Sequence, residues 1–318
     1  MSASVSPQLS PFALEIAHGL SSKQQKKISP RYFYDDLGSA LFEAITLLPE
    51  YGLTRADERL LRLHANRIVS NTGPVSVVAE LGSGNGKKTR HILSALSRRT
   101  SNFLYRPIDV SPAALAACER ELGEICEVRT VCADWVEGVA EVARARLQNE
   151  PLLILFLGSS IGNLAREEIS GFLQRLRNHL RPGDYFLLGA DLVKDVGKML
   201  AAYDDPAGVT AAFNLNVLGR INRELEADFD LRSFAHEVRW NGAERRIEMH
   251  LVSRRDQKVY IGALETSFPF REGETIWTES SYKFTPAELN SYARASGFRA
   301  AAIWVDHEWP FAEALWER

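Results

Sequence analysis

The sequence predicts an α/β fold: a doubly wound, mostly parallel sheet that carries a second, α+β region. Three observations predict it. Between residues 57 and 193, stretches of strand composition alternate with amphipathic helical ones, the order of a parallel sheet covered by helices. Several strand stretches, above all "PLLILFLG", are apolar at nearly every position, as strands buried on both faces are. After Lys194 the alternation stops, and a helical region gives way to short alternating stretches separated by turn signals, which reads as an insertion in the core.

The first element is "RYFYDDLGSALFEAITLLPEY", residues 31 to 51, with five aromatic rings in twenty-one positions. Helical spacing predicts a helix over about Ser39 to Leu48 that buries Leu41, Phe42, Ile45 and Leu48. Tyr32, Tyr34 and Tyr51 lie at or beyond its ends and need another explanation. "VSVVAELGSGNGKKTRHILSAL" reads as strand, glycine loop and helix, "SNFLYRPIDVSPAALAACERELG" as a second strand and helix, and "CEVRTVCADW" as a third strand. "EPLLILFLGSSIGNLAREEISGFLQRLRNHL" adds a strand, a loop and an amphipathic helix, and "RPGDYFLLGADL" a turn and a fifth strand. Beyond Lys194, "VGKMLAAYDDPAGVTAAFNLNVLGRINREL" is helical. The stretches "SFAHEVRW", "RRIEMHLVSR", "KVYIGALETSF" and "IWTESSYKF" are expected to be antiparallel strands, with turns at Asn241-Gly242 and Glu272-Gly273. "TPAELNSYARASGFRAAAIWVD" returns to helix and strand. The expected division is a core of 57–193 with 284–318, and a second domain of 10–56 with 194–283.

Composition excludes several classes. A net charge of −3 over 318 residues lacks the basic excess of a nucleic-acid binder. No apolar run has the length of a membrane span, and "MSASVSPQLSPF" lacks the charged-then-apolar layout of a secretion signal. Cys118, Cys126 and Cys132 have neither metal-type spacing nor an even count for disulfides, so a reducing cytoplasm is the expected home. The seven histidines are scattered without an HExxH pair, so no metal is expected.

"VVAELGSGNGKKTR" sets Glu80, Gly82, Ser83, Gly84 and Gly86 between a strand and a helix, where glycines let a ligand approach the backbone. The next strand ends in Asp109, placed to accept from ribose hydroxyls. Nicotinamide enzymes and S-adenosylmethionine enzymes share this much. Three details favour the sulfonium cofactor. An acidic residue, Glu80, precedes the glycines as in methyltransferases; a carboxylate there would oppose a pyrophosphate, which a helix N-terminus otherwise attracts, while suiting a positive aminoacyl end; and "CADW" offers Asp134 and Trp135 for an adenine. The alternative for Asp134 is a helix cap.

With the aromatic stretch, the glycine loop and "FLGSSIGNL" together, the chain resembles the bacterial ergothioneine-pathway L-histidine Nα-methyltransferases over nearly its whole length. The markers are "YFYDDLGSALFEAITLLPEYGLTR", "ELGSGNGKKTR", "PIDVS", "LGSSIGNL", "GADLVKD", "AYDDPAGVTAAFNLNVLGRINREL", "RIEMHL" and "TESSYKF". They are specific because segments outside the doubly wound core match too. The resemblance implies a Rossmann-like class I methyltransferase core and a substrate-binding domain made from the N-terminal arm and the insertion. It implies transfer of three methyl groups from S-adenosyl-L-methionine to the α-amino group of histidine. The products would be hercynine and S-adenosyl-L-homocysteine, in the first step of ergothioneine biosynthesis. A small amino-acid substrate, no metal, no nucleic-acid or membrane partner and a cytoplasmic monomer go with it.

The same resemblance assigns residues. Gly82, Ser83, Gly84, Lys88, Asp109, Asp134 and Trp135 hold the cofactor, with Tyr34 at the entrance. Asn163 and Tyr203 grip the amino-acid head, Tyr51 sits beside the amine, and Glu279 and Ser281 recognise the imidazole. Met249 lines the same pocket, with Phe213 and Gly158 also on the substrate. Several family members have two consecutive tyrosines where this chain reads Tyr51-Gly52, and a looser wall beside Tyr51 is the expectation.

The chemistry suits these residue types. Methyl transfer is an in-line displacement that needs proximity and alignment rather than a strong nucleophile. Tyr51 and Asn163 therefore act as positioners, and no catalytic His or Cys is expected. Aromatic faces at Tyr34, Phe42 and Phe213 suit a trimethylammonium product; plain core packing is the alternative, and for Phe42 the favoured one. On a strand, Glu279 and Ser281 share a face and can serve both imidazole nitrogens. Three alternatives stay open here: a relative acting on tryptophan, a nicotinamide-dependent oxidoreductase, and a cofactor-binding protein without catalysis.

Overall fold

Every residue of the strands Val77–Leu81 and Leu152–Phe156 is buried, which only a sheet covered on both faces allows. Their side chains alternate between two apolar layers, since successive strand residues point to opposite faces. Val77, Ala79, Leu81, Leu152, Ile154 and Phe156 enter one layer with Ile108, Phe172 and Trp316. Val78, Leu153 and Leu155 enter the other with Ile68, Leu93 and Tyr105. The structure, a computed structural model, describes residues 9–100 and 102–318. Most of the N-terminal stretch read for a secretion signal lies outside the described residues.

The chain divides into two units. The larger contains Tyr51–Asp195, Ala243–Arg246 and Ser281–Arg318. Among the described residues it holds an eight-stranded sheet in the spatial order Arg299–Asp306, Phe311–Glu317, Tyr185–Asp191, Leu152–Phe156, Val77–Leu81, Leu104–Asp109 and Glu127–Val128. Val131–Cys132 pairs with the end of Leu104–Asp109. Pairing is parallel from Glu127–Val128 through Tyr185–Asp191, and the last two strands run antiparallel. From Val77–Leu81 the chain moves outward to Leu104–Asp109, then returns to Leu152–Phe156 on the other side. That reversal opens a crevice at the carboxyl ends of the two central strands, where open α/β sheets bind ligands.

The smaller unit takes the described residues through Glu50, with Val196–Gly242 and Ile247–Ser280. Residues 51–56, 194–195, 243–246 and 281–283, expected in the second domain, belong to the core unit. The aromatic stretch begins with a 3-10 turn, Pro30–Phe33, followed by a helix at Asp36–Leu47. This helix starts three residues before the expected one because the Asp35 carboxylate caps it, accepting from the Gly38 amide at 2.7 Å. Ile45 is buried as expected, whereas Leu41, Phe42 and Leu48 are half-buried. A four-stranded sheet has the order Lys26–Lys27, Thr275–Tyr282, Arg246–Ser253, Phe234–Asn241.

Two expectations about strands need correction, and one strand was missed. The single third strand in "CEVRTVCADW" is two short pieces, Glu127–Val128 and Val131–Cys132, at the sheet edge. "KVYIGALETSF" is a hairpin rather than one strand: Gln257–Ile261 pairs antiparallel with Thr266–Phe270, and Glu265 turns between them at φ 47°. The strand Phe311–Glu317 was not anticipated from its sequence.

Candidate active site

The crevice is built by two turns of the core unit. After Val77–Leu81 the glycine loop begins, anchored by the Gly82 amide donating to the Ile108 carbonyl at 2.8 Å. Gly82, Gly84 and Gly86 have φ of 66°, 53° and 72°, backbone that side-chain-bearing residues rarely adopt. At Gly86 a side chain would also meet Cys118 and Leu122 at 2.7 Å. The Gly84 amide donates to Asp109 Oδ2 (3.2 Å), and the Ser111 amide to Asp109 Oδ1 (2.9 Å). A carboxylate has lone pairs beyond those two, so Asp109 can still take ribose hydroxyls.

Trp135 opens the helix Trp135–Ala145 and packs edge-on against Phe156, ring centroids 4.9 Å apart. Its indole nitrogen lies 3.4 Å from where a Gly82 side chain would begin, so only glycine leaves the backbone open to a ligand beside the indole. Asp134 Oδ1 accepts from the Val136 and Glu137 amides, both at 3.0 Å. The helix-cap reading is therefore met, and any contact to adenine is additional to it.

Glu80 differs from its sequence reading, which sets it beside the cofactor's positive end. The structure turns its carboxyl inward, where Oε2 accepts from the Thr89 hydroxyl at 2.6 Å and from the Tyr105 hydroxyl. Burial pushes its pKa from 4.5 up to about 7, against the opposing pull of Thr89 and Tyr105. With the folded-state pKa raised, this group's stabilisation is full below pH 4.5 and is lost as pH rises through 7. Glu80→Gln should therefore narrow its stability gap to the parent enzyme as pH rises from 4.5 to 7; urea denaturation across that range checks it, and a widening gap contradicts the assignment.

Lys88 follows the loop and pairs with Asp57, whose side chain is fully buried. Asp57 Oδ2 also accepts from the Gly158 amide at 3.0 Å. Gly158 and Ser159 form the second turn, both left-handed at φ 71° and 61°, after Leu152–Phe156. Thus one carboxylate joins both turns of the crevice. Behind it lies Glu313, fully buried and held well above the usual carboxylate range first by burial and then by Asp57. A proton shared between the two carboxyls would join Asp57 Oδ1 to one Glu313 oxygen. Burial, and then the neighbouring Asp57, favour the protonated form of Glu313.

The 3-10 turn Ser160–Asn163 places half-buried Asn163 at the rim. Gly162 makes that turn possible, because a side chain there would come within 2.9 Å of the Tyr282 carbonyl. Tyr51 is 7% exposed at the start of the helix Gly52–Asn71. The expectation of a looser wall beside it does not hold: a Gly52 side chain would run into the Trp309 indole, which fills the space. The Trp309 Nε1–H donates to Asp191 Oδ1 at 3.0 Å. Burial alone would raise the Asp191 carboxyl, but Lys283 and Lys194 outweigh it and hold its pKa low. Lys283 is 3.0 Å from Asp191 and donates to the Ser281 hydroxyl at 2.8 Å. Ser281 is thus tied to a buried ionic network that the sequence did not reveal, and Gly52, next to Tyr51, lies against the Trp309 that joins it.

In the smaller unit Phe213 is 2% exposed and centres an aromatic cluster with Phe33, Tyr34 and Phe42, at 4.6, 5.9 and 6.0 Å between centroids. Tyr203 and Met249 are buried. Glu279 and Ser281 lie two apart on the strand Thr275–Tyr282 and share a face. Among the described residues, no group of three or more His, Cys, Asp or Glu side chains could hold a metal ion, and no helix is long and apolar enough to cross a membrane.

A family model described as a SAM-dependent, histidine-specific methyltransferase matches residues 12–318. The chain is 44% identical over 297 residues to a histidine N-alpha-methyltransferase of Mycobacterium tuberculosis, covering 92% of this chain and 91% of that one. It is 42% identical over 295 residues to the Mycolicibacterium smegmatis protein of the same name, covering 91% and 90%. Ergothioneine biosynthesis protein 1 of Neurospora crassa is 31% identical over 281 residues, covering 86% of this chain and 31% of that protein. These matches extend through both units, so this chain belongs to the SAM-dependent, histidine-specific methyltransferase family, as a SAM-dependent N-methyltransferase.

Proposed function

We infer that this enzyme methylates the α-amino group of L-histidine three times, giving hercynine in the first step of ergothioneine biosynthesis. The observation that carries the reading is the shared strand face of Glu279 and Ser281 in a chain whose family match runs from residue 12 to 318. S-adenosyl-L-methionine supplies an activated methyl group on a sulfonium. The glycine loop, Asp109, Asp134 and Trp135 would hold its nucleoside, and Lys88 its carboxylate, with Tyr34 at the entrance. Tyr51, Asn163 and Tyr203 would orient the amino acid, beside Gly158 and Phe213. They align the amine lone pair, and alignment of this kind is worth several kcal/mol of barrier.

Selection of the imidazole follows from the hydrogen-bond inventory. Lys283 donates to the Ser281 oxygen, so the Ser281 hydroxyl directs its own hydrogen elsewhere. Ser281 can then donate while Glu279 accepts, matching the one acceptor and one donor of a neutral imidazole. An indole has a donor alone and leaves the hydroxyl unanswered. Met249 supplies an apolar wall in this reading. Incubation with S-adenosylmethionine and a panel of amino acids, followed by mass detection, tests it. The expected product is trimethylated histidine; methylation of tryptophan with histidine untouched would overturn the reading.

A further inference from the structure

We propose that His236 is a positioning residue for the amino-acid substrate, acting through Asn214 and the Tyr203 backbone as a neutral Nε2–H tautomer. The proposal deepens the reading above and rests on its assignment of Tyr203, Met249 and Glu279 to the substrate. All the residues concerned belong to the smaller unit. Asn214, fully buried on the helix Val209–Leu225, is the hub. Its amide nitrogen donates to the His250 carbonyl at 3.1 Å and lies 2.8 Å from His236 Nδ1. Its amide oxygen accepts from the Thr278 hydroxyl at 2.7 Å.

Two independent constraints fix the tautomer. A backbone carbonyl only accepts, so the His250 contact requires the Asn214 nitrogen, not its oxygen, on that side. The same nitrogen faces His236 Nδ1, which must then accept. At the other end of the ring, His236 Nε2 is 2.8 Å from the Tyr203 carbonyl, which again only accepts. Nε2 therefore carries the hydrogen.

The network reaches three of the proposed substrate residues through their backbone. His236 holds the Tyr203 carbonyl, Thr278 shares its one hydroxyl hydrogen between Asn214 Oδ1 and the Met249 carbonyl at 3.0 Å, and Thr278 immediately precedes Glu279. Holding these segments in one buried lattice keeps the head-group tyrosine and the imidazole pocket in register. Protonation would set an Nδ1–H against the Asn214 amide hydrogens. Asn214 could not turn to relieve it without setting its oxygen on the His250 carbonyl. Burial disfavours the charged ring, while the Tyr203 carbonyl and then the Asp204 and Asp205 carboxylates favour it; burial prevails. His250, on the neighbouring strand, is likewise buried and kept neutral by its burial, with Arg239 acting in the same sense and Glu248 and Glu237 opposing.

The test uses His236→Phe and His236→Gln, the latter able to return an N–H toward the Tyr203 carbonyl, with Tyr203→Phe as control. His236→Phe should raise KM for histidine roughly tenfold, the scale of a lost buried hydrogen bond, with S-adenosylhomocysteine affinity unchanged and partial recovery in His236→Gln. Long-range 1H–15N spectra should show a resonance of the neutral Nε2–H form that vanishes in both His236 variants. An Nδ1–H or charged ring at neutral pH overturns the proposal, as does an unchanged KM in a folded His236→Phe enzyme or a His236→Gln enzyme that recovers nothing relative to it. If Tyr203→Phe raises KM and the His236 variants do not, only the positioning role fails. If Tyr203→Phe leaves KM unaltered, the substrate assignment itself fails and the positioning role with it.

Discussion

Replacing Asp57 with alanine should lower the free energy of unfolding by about 3 kcal/mol, and adding Glu313→Gln should carry the loss toward about 5 kcal/mol, the span seen when a buried ion pair loses one partner. The single substitution removes the carboxylate that binds Lys88 and the Gly158 amide together. An ammonium left without a counter-charge is the costly outcome, but Glu313 lies close enough to interact with both groups. Burial, and then the Asp57 carboxyl beside it, raise its pKa and favour its protonated form. With Asp57 gone, Glu313 can ionise and take over part of the pairing, which limits the first loss. Glutamine cannot ionise, so the double variant exposes the full cost. Urea denaturation at neutral pH measures both, and a double variant no less stable than the single would show that Glu313 offers no such relief. Calorimetry with S-adenosylhomocysteine should record a roughly tenfold to hundredfold weaker binding in Asp57→Ala, the range for a lost charged hydrogen bond, because Lys88 and the second turn lose their common anchor.

What was legible beforehand follows the range of the interactions involved. The central strands announce themselves because burial on both faces leaves a local record, an unbroken apolar run such as "LLILF". The glycine loop is legible because positive φ at Gly82, Gly84 and Gly86 selects one residue type. Asp57 leaves no such record. It sits in a charged stretch, "LTRADERL", that reads as a solvated helix face, and its partners are 31 and 101 residues away. Glu313 is disguised in the same way: "FAEALWE" is rich in helix formers, yet it is a strand paired to Tyr185–Asp191 and Arg299–Asp306. Gly52 misled for the converse reason. A missing side chain suggests space, and only the fold shows the Trp309 ring filling it.

Glu279→Ala should weaken histidine binding roughly tenfold to hundredfold, the 1.5–3 kcal/mol of a hydrogen bond to a charged group, while S-adenosylhomocysteine affinity stays within about twofold. The asymmetry is the content of the prediction, since the cofactor's proposed partners all lie on other elements. Titrating both ligands into the variant by calorimetry measures it, and equal losses would remove Glu279 from the substrate. Glu279→Gln should fall between, because its amide oxygen still accepts from the imidazole without the charge. Ser281→Ala should cost less than Glu279→Ala, since Lys283 keeps its pairing with Asp191 at 3.0 Å. The hydroxyl also gives the pH dependence a sign. In this reading Ser281, which accepts from Lys283, offers its hydrogen to an imidazole nitrogen that must be unprotonated to accept it. Histidine affinity should therefore decline as pH falls below the free imidazole pKa of about 6.5, and Ser281→Ala should flatten that decline. Glu279→Ala should steepen it, because the carboxylate is the group that offsets a charged ring.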